Sequence, residues 1–470
     1  MGFSELISDR ILAECFGRPH AYYELGRLCD TVGGRSSGTE SGRRGEEWAL
    51  ELMKSYGLEN ITVEEFPVLA WTRGELEVAA VSPSAWRLTA LSHGYAPSKA
   101  EVTAEVFDIG HGESDDYLRV GERVRGGIVL CDEGVAPGHR GLHRSEKLKL
   151  AADNGAAALM IYSSASGGLP RTGTCANTEA PIPSLGISQE DGLRLLRLLK
   201  SSDEANRAPI VSIRMTNHFE QSTARNVIGE LRGSELPDEH VLLGAHLDSW
   251  DVAQGATDNG LGSAIVLEIG RVLTLLQRPR RTIRFAIWAA EEIGLCGSWH
   301  YSRLHETELD SMTAVINFDM TADPYGFWLP TPLEHTHGAK EAAGLELLRS
   351  VAARLAPLGM KQEFVFKAGL HSDHQAFMLG GVQAIALLAE NKTQGAHYYH
   401  SVGDTFDKVS LPSFSRAAAV GAHTAWALAD APYRPFKRQS PGYVRQLIDE
   451  AGLMDALAAD GYDGPAMHIS

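Results

Sequence analysis

The stretch VLLGAHLDSWDVAQGATDNGLG, residues 241–262, carries the first side chains with the types and spacing for chemistry. Its apolar run at 241–243 reads as a buried strand, a small-residue step follows at Gly244-Ala245, and His246 and Asp248 then stand two residues apart. Asp258 comes immediately before an apolar-periodic segment, the position of a helix N-cap. One strand end thus offers an imidazole and a carboxylate, and the next helix start offers another carboxylate. Crevices at the carboxyl ends of strands are where open α/β sheets hold ligands.

A lone His-x-Asp means little, but further groups of the same kind follow other strands. The β-branched and aromatic run at 282–289 ends in Ala290-Glu291-Glu292, and the run at 313–318 ends in Asp319. The buried-strand pattern at 384–388 precedes His400 in the loop HYYHSVGDT. Each charge follows a segment whose composition demands burial, which is not the pattern of a solvated surface.

If His246, Asp258, Glu292, Asp319 and His400 converge, two imidazoles and three carboxylates are one carboxylate short of two separate three-ligand sites. One carboxylate must then be shared, as a pair of divalent ions about 3.5–4 Å apart requires. Nitrogen and oxygen donors without thiolate suit zinc, with cobalt or manganese as substitutes. Such a pair polarises a carbonyl and lowers the pKa of a bound water towards about 7. A general base is still needed, and Glu291, beside a ligand but pointing another way, fits that role. Asp248 fits the role of orienting the His246 imidazole.

These residues need a scaffold. At 470 residues the chain exceeds one ordinary core, so two domains are expected, one of them inserted in the other. A hydrophobic content of 44% and a charged content of 22% are ordinary for a globular protein. The formal charge of −17 argues against nucleic acid or an anionic membrane as a partner. No apolar run approaches the roughly 18 residues of a membrane span. The N-terminus MGFSELISDRILAECF lacks a basic-then-apolar signal pattern. A cytoplasmic protein is expected, or a secreted one if a leader has been trimmed. The five scattered cysteines, with no C-x-x-C spacing, are expected as reduced, buried thiols.

Residues 1–73 read as helical at 7–27 and 41–56, with a strand at 61–71. From 74 to 223 short β-rich pieces recur around one helix at 146–154. This region reads as a separate domain with no chemistry of its own, and His139 and His143 in its glycine-rich loop read as solvated surface. Residues 224–432 alternate strand and helix, including helices at 339–355 and 412–429, which predicts a mostly parallel sheet covered on both faces. The tail, 433–470, is polar with one amphipathic piece at 444–458.

The motifs HLDSWDVAQGATDNG, WAAEE, NFDM, SDHQAFMLGGV and YYHSVGDTFDKV resemble those of the co-catalytic zinc exopeptidases, a family that includes bacterial aminopeptidases and glutamate carboxypeptidases. Within it, HLDSWDVAQGATD, RPRRTIRFAIWAAEE and HYYHSVGDT are most similar to the carboxypeptidase Q branch. The resemblance implies an α/β fold, a mixed and mostly parallel sheet flanked by helices. It implies that His246 and Asp319 hold one zinc and Glu292 and His400 the other, with Asp258 bridging. Glu291 would be the base, Asp248 would orient His246, and a cis peptide would fall at Asp258–Asn259.

GGIVLCDEG, KLKLAADNGAAALMIY and APIPSLGIS resemble a protease-associated domain, which implies that 74–223 is an insert walling the cleft and limiting substrate length. His371 and His374 of HSDH would buttress the site. Tyr398 and Tyr399 would steady an oxyanion or wall the pocket, and Glu390, Asn391 and Lys392 would meet a substrate terminus. The activity implied is di-zinc hydrolysis of dipeptides or short peptides, with amino-, carboxy- and dipeptidase action all open. The alternatives are a non-catalytic receptor or scaffold of the same fold, against which no ligand is missing, and a single-zinc glutaminyl cyclase, whose relatives lack the insert. The partner is a peptide, and a homodimer is the assembly considered.

Overall fold

Pro19 splits the first helical stretch, because proline lacks the N–H a helix interior needs and clashes with the preceding turn. Two helices, Glu5–Gly17 and His20–Thr31, therefore replace the single one expected over 7–27. The structure, a computed structural model, describes residues 5–205, 208–331, 343–390 and 395–460. The third helix, Glu40–Ser55, begins where the Thr39 hydroxyl accepts the Gly42 N–H.

Two long strands then organise the molecule. Glu59–Ser82 and Ile210–Leu231 pair antiparallel, from Glu59 opposite Glu230 to Ser82 opposite Ile210. Gly74, where composition suggests a domain boundary, instead lies in a register shift between Arg73 and Leu76. A Cβ there would fall 2.2 Å from the Thr216 carbonyl oxygen. The glycine marks an irregularity within a continuous strand, not its end.

Beyond this pair, the inserted domain extends the sheet through Lys99–Asp108, Ile128–Asp132, Ala158–Tyr162 and Ser184–Ile187, parallel to one another in that order. On the other side Ile210–Leu231 pairs antiparallel with Arg281–Trp288. That strand runs parallel to Leu236–His246, which runs parallel to Met312–Asn317 and so to Ala384–Ala389. The strand Pro324–Leu329 returns antiparallel and pairs with Phe364–Phe366. The helix expected over 339–355 is seen as Ala343–Arg354, its first residues lying outside those described.

The central strands are buried on both faces. Val241, Leu243, Phe285 and Ile287 face a core built with the helices Leu261–Thr274 and Leu411–Asp430. Leu242, Ala286 and Val315 face a second core with Trp299, Tyr301 and Phe377. The tail packs onto that second core through Val444, Ile448 and Leu457. Among the described residues no helix is long and apolar enough to cross a membrane. All five cysteines are free, and four of them are buried.

Candidate metal centre

The parallel register decides where the reactive groups meet. Trp288 pairs with His246, and Asn317 pairs with both Gly244 and Ala386, so these strands end level with one another. His246 closes one strand, Glu291 and Glu292 follow the next by three and four residues, and Asp319 follows the third by two. Gly244 allows the approach, since a Cβ there would stand 2.3 Å from the Trp288 indole nitrogen.

The five side chains read as ligands come together, and Glu291, read as the base, lies among them. His246, Glu291 and Asp319 each place a donor atom within 4.8 Å of the others, and Asp258, Glu292 and His400 do the same. Asp258 spans the two groups. Its Oδ1 lies 3.4 Å from His246 Nε2 and its Oδ2 lies 3.1 Å from His400 Nε2. Glu292 Oε2 lies 3.1 Å from the same His400 nitrogen. Glu291 Oε2 and Asp319 Oδ1 both stand 3.9 Å from His246 Nε2.

Asp248 does more than face the imidazole. Its carbonyl accepts from His246 Nδ1 at 3.1 Å, while its two carboxylate oxygens accept the backbone N–H groups of Glu291 and Glu292, each at 3.1 Å. One residue therefore fixes both the strand end that carries His246 and the turn that carries the glutamates. Residues in the left-handed region flank these ligands: Ala290 at φ +62°, Met320 at φ +48° and His400 itself at φ +52°. Such conformations cost on the order of 1–3 kcal/mol each and cluster at functional sites. The Asp258–Asn259 peptide is cis, where the resemblance places it.

The electrostatics describe a centre with too much negative charge. Burial works against charging His246, yet the carboxylates of Glu291, Asp248, Asp258 and Asp319 around it hold its pKa well above the usual imidazole range. His400 is pushed up to about 9 in the same way, Glu292 and Asp258 outweighing burial. Burial pushes Glu291 well above the usual carboxylate range, the pull of His246 notwithstanding, and the charges of Glu292, Asp373 and Asp319 add to it. Divalent cations would offset the crowded carboxylates. Glu292 Oε1 is buried without a hydrogen-bond partner, which a bound cation would satisfy. Oxygen and nitrogen donors with no thiolate fit zinc.

Several supports were not visible in the sequence. Asp404, in the loop HSVGDT, accepts hydrogen bonds from the Thr257 N–H at 2.7 Å, the Thr257 hydroxyl at 2.6 Å and the Asp258 N–H at 3.1 Å. It holds the segment carrying the shared carboxylate. Trp250 Nε1 donates to Glu292 Oε2 at 2.7 Å. Asn259 donates to the Phe318 carbonyl and accepts the Met320 N–H, clamping the turn on which Asp319 sits. Outer partners of this kind are worth about 10- to 100-fold in metal affinity. Asp404→Ala should weaken metal binding by that order, read by competition with a chromophoric chelator. Wild-type affinity in the variant would show that the loop holds without it.

Other expectations are placed differently. His143 is not a solvated residue: it is half-buried, lines the cleft and stacks on His371 at 4.4 Å between ring centres. His139 is exposed, as expected. The insert read as free of site residues contributes His143, Arg144, Ser145, Thr174 and Asn177 to the cleft wall, and the tail contributes Asp460. His374 is buried, with Nε2 3.0 Å from the Gly369 carbonyl and its ring against Trp328. Of the two tyrosines, Tyr399 lines the cleft and stacks on His400 at 3.7 Å. Tyr398 does not line it and carries Lys408 over its ring. Glu390 is exposed and is not among the lining residues, while Asn391 and Lys392 lie outside the described residues.

Comparison with known proteins places the chain in a family. Residues 226–425 match peptidase family M28, and residues 95–195, within the insert, match the PA domain. Carboxypeptidase Q of Bos taurus is 31% identical over 420 residues, covering 87% of this chain and 85% of the bovine protein. The crystal structure of a peptidase M28 precursor from Shewanella amazonensis SB2B superposes with a TM-score of 0.79 at 24% identity, covering 93% of this chain and 98% of that one. BSAP, a zinc aminopeptidase from Bacillus subtilis, superposes with a TM-score of 0.65 at 23% identity, covering 90% and 98%. These likenesses agree with a PA domain inserted in a mixed, mostly parallel sheet flanked by helices.

Proposed function

The chain belongs to peptidase family M28 and is a zinc metallopeptidase, and from that premise we propose that it uses two zinc ions, with Glu291 as general base, to hydrolyse dipeptides and short peptides. One observation carries the two-metal reading: the two oxygens of Asp258 face two different imidazoles, at 3.4 and 3.1 Å. A carboxylate serving a single ion has no reason to divide itself in this way. His246 and Asp319 would hold one ion, Glu292 and His400 the other.

Held there, zinc would supply Lewis acidity to the scissile carbonyl and to a water near neutral pH. The chain's own residues do the rest. Glu291, its backbone pinned by Asp248, is placed to take the water's proton at Oε2 and return it to the leaving amine. Tyr399, stacked on His400, walls the cleft on the side of that ligand. The insert and Asp460 close the cavity to about 390 Å³, near the small end of ligand pockets, which supports short substrates.

Metal analysis of the purified protein should find two divalent ions per chain. Dipeptide hydrolysis should be abolished by a chelator and restored by zinc. At most one ion in a fully active preparation, or no hydrolysis across a dipeptide panel, would overturn the proposal.

A further inference from the structure

The acidic floor of the cleft faces a cation that nothing in the protein uses. Arg144, the first residue of the helix Arg144–Asp153, is the only arginine or lysine among the described residues lining the cleft. Among the described residues its guanidinium makes no hydrogen bond and no ion pair, and its Nε is buried without a partner. Arg144 is half-buried, and an anion at its guanidinium would satisfy the Nε that water does not reach.

Its position is held from below. Gly173, at φ +132°, leaves the space the guanidinium fills, and a Cβ there would stand 2.2 Å from Arg144 Cζ. The residues on either side of Gly173 are tied to the metal centre. The Thr172 N–H donates to the His400 carbonyl at 2.9 Å, and the Thr172 carbonyl faces His400 Nδ1 at 3.3 Å. The Thr174 hydroxyl donates to the Glu292 carbonyl at 2.6 Å. A single short segment therefore supports two candidate metal ligands and also makes room for the guanidinium.

We propose that Arg144 binds a carboxylate of the peptide substrate, so that the enzyme selects short peptides carrying a free carboxylate close to the scissile bond. This rests on the peptidase reading and names the substrate class for that site. The planar guanidinium matches a carboxylate through two parallel hydrogen bonds. The carboxylate has two sources: the C-terminal α-carboxylate of a dipeptide, or an acidic side chain next to the cleaved bond. The first would settle the activity as removal of a terminal residue with a free carboxyl group.

The test compares kcat/KM for Ala-Leu, Ala-Leu-NH2 and Ala-Glu-NH2 in the zinc-loaded wild type, Arg144→Gln and Arg144→Lys. Ratios measured on one preparation are independent of how much of a variant has folded. The wild type should prefer Ala-Leu to its amide by on the order of 10- to 100-fold, the worth of hydrogen bonds to a charged group. Arg144→Gln should bring that ratio close to one, and Arg144→Lys should fall between. A preference for Ala-Glu-NH2 over Ala-Leu-NH2 that Arg144→Gln removes would assign the side-chain source instead. Equal rates on acid and amides in the wild type, or an equal loss on all three in Arg144→Gln, would overturn the inference while the peptidase reading stands. Failure of the wild type to cleave any of the three would sink both.

Discussion

Glu291→Gln is expected to retain both metal ions and to lower kcat by on the order of 10²–10⁴, the worth of a positioned general base. The two adjacent glutamates are distinguished by what each touches. Glu292 Oε2 is 3.1 Å from His400 Nε2 and accepts from the Trp250 indole, so it is drawn into one metal group. Glu291 lies with the other group, its Oε2 3.9 Å from His246 Nε2, and makes no ion pair with His400. The amide of glutamine keeps the size of Glu291 but cannot take a proton. Glu292→Gln should behave differently, losing affinity for one ion as well as activity. Metal stoichiometry and single-turnover rates on both variants check this. Equal metal loss in the two would exchange their roles.

The meeting of these side chains was legible because His246, Glu291, Glu292 and Asp319 close or follow runs whose composition betrays burial. Once TIRFAIWA and TAVINF are taken as parallel interior strands, the carboxylates after them must meet at one edge of the sheet. The opposite wall was not legible. Thr172 reaches His400 only because the strands Glu59–Ser82 and Ile210–Leu231 hold the insert over the sheet. No local pattern announces a contact such as that of Thr172 with His400, 228 residues apart. His143 read as solvated for the same reason, since its half-burial comes from stacking on His371. Asp404 belongs to the loop HYYHSVGDT, yet its role depends on Thr257 and Asp258, which lie 147 and 146 residues away. Tyr398 and Tyr399 are neighbours with opposite surroundings, one under Lys408 and the other in the cleft wall.

Asp258→Asn should be the more damaging substitution, because it removes the one carboxylate that faces both imidazoles and that the proposed ion pair would share. An asparagine amide fills the same volume and leaves the backbone N–H free to donate to Asp404, so the loop should keep its place. Its side chain, however, offers one oxygen and one NH2 group, and the NH2 cannot serve a cation. One of the two imidazoles, His246 or His400, then loses the carboxylate oxygen that lies at 3.4 or 3.1 Å in the native protein. The expected outcome is a chain that holds at most one ion and a fall in kcat exceeding that of Glu291→Gln. A second readout does not depend on turnover. Zinc at about 100 times its dissociation constant stabilises a folded protein by about 2.7 kcal/mol per site, so wild-type thermal unfolding should shift upward on adding metal. In Asp258→Asn that shift should shrink to the contribution of one site or vanish. Two ions bound, with a wild-type thermal shift, would mean that the carboxylate is not shared and that each metal is held by its own ligands alone.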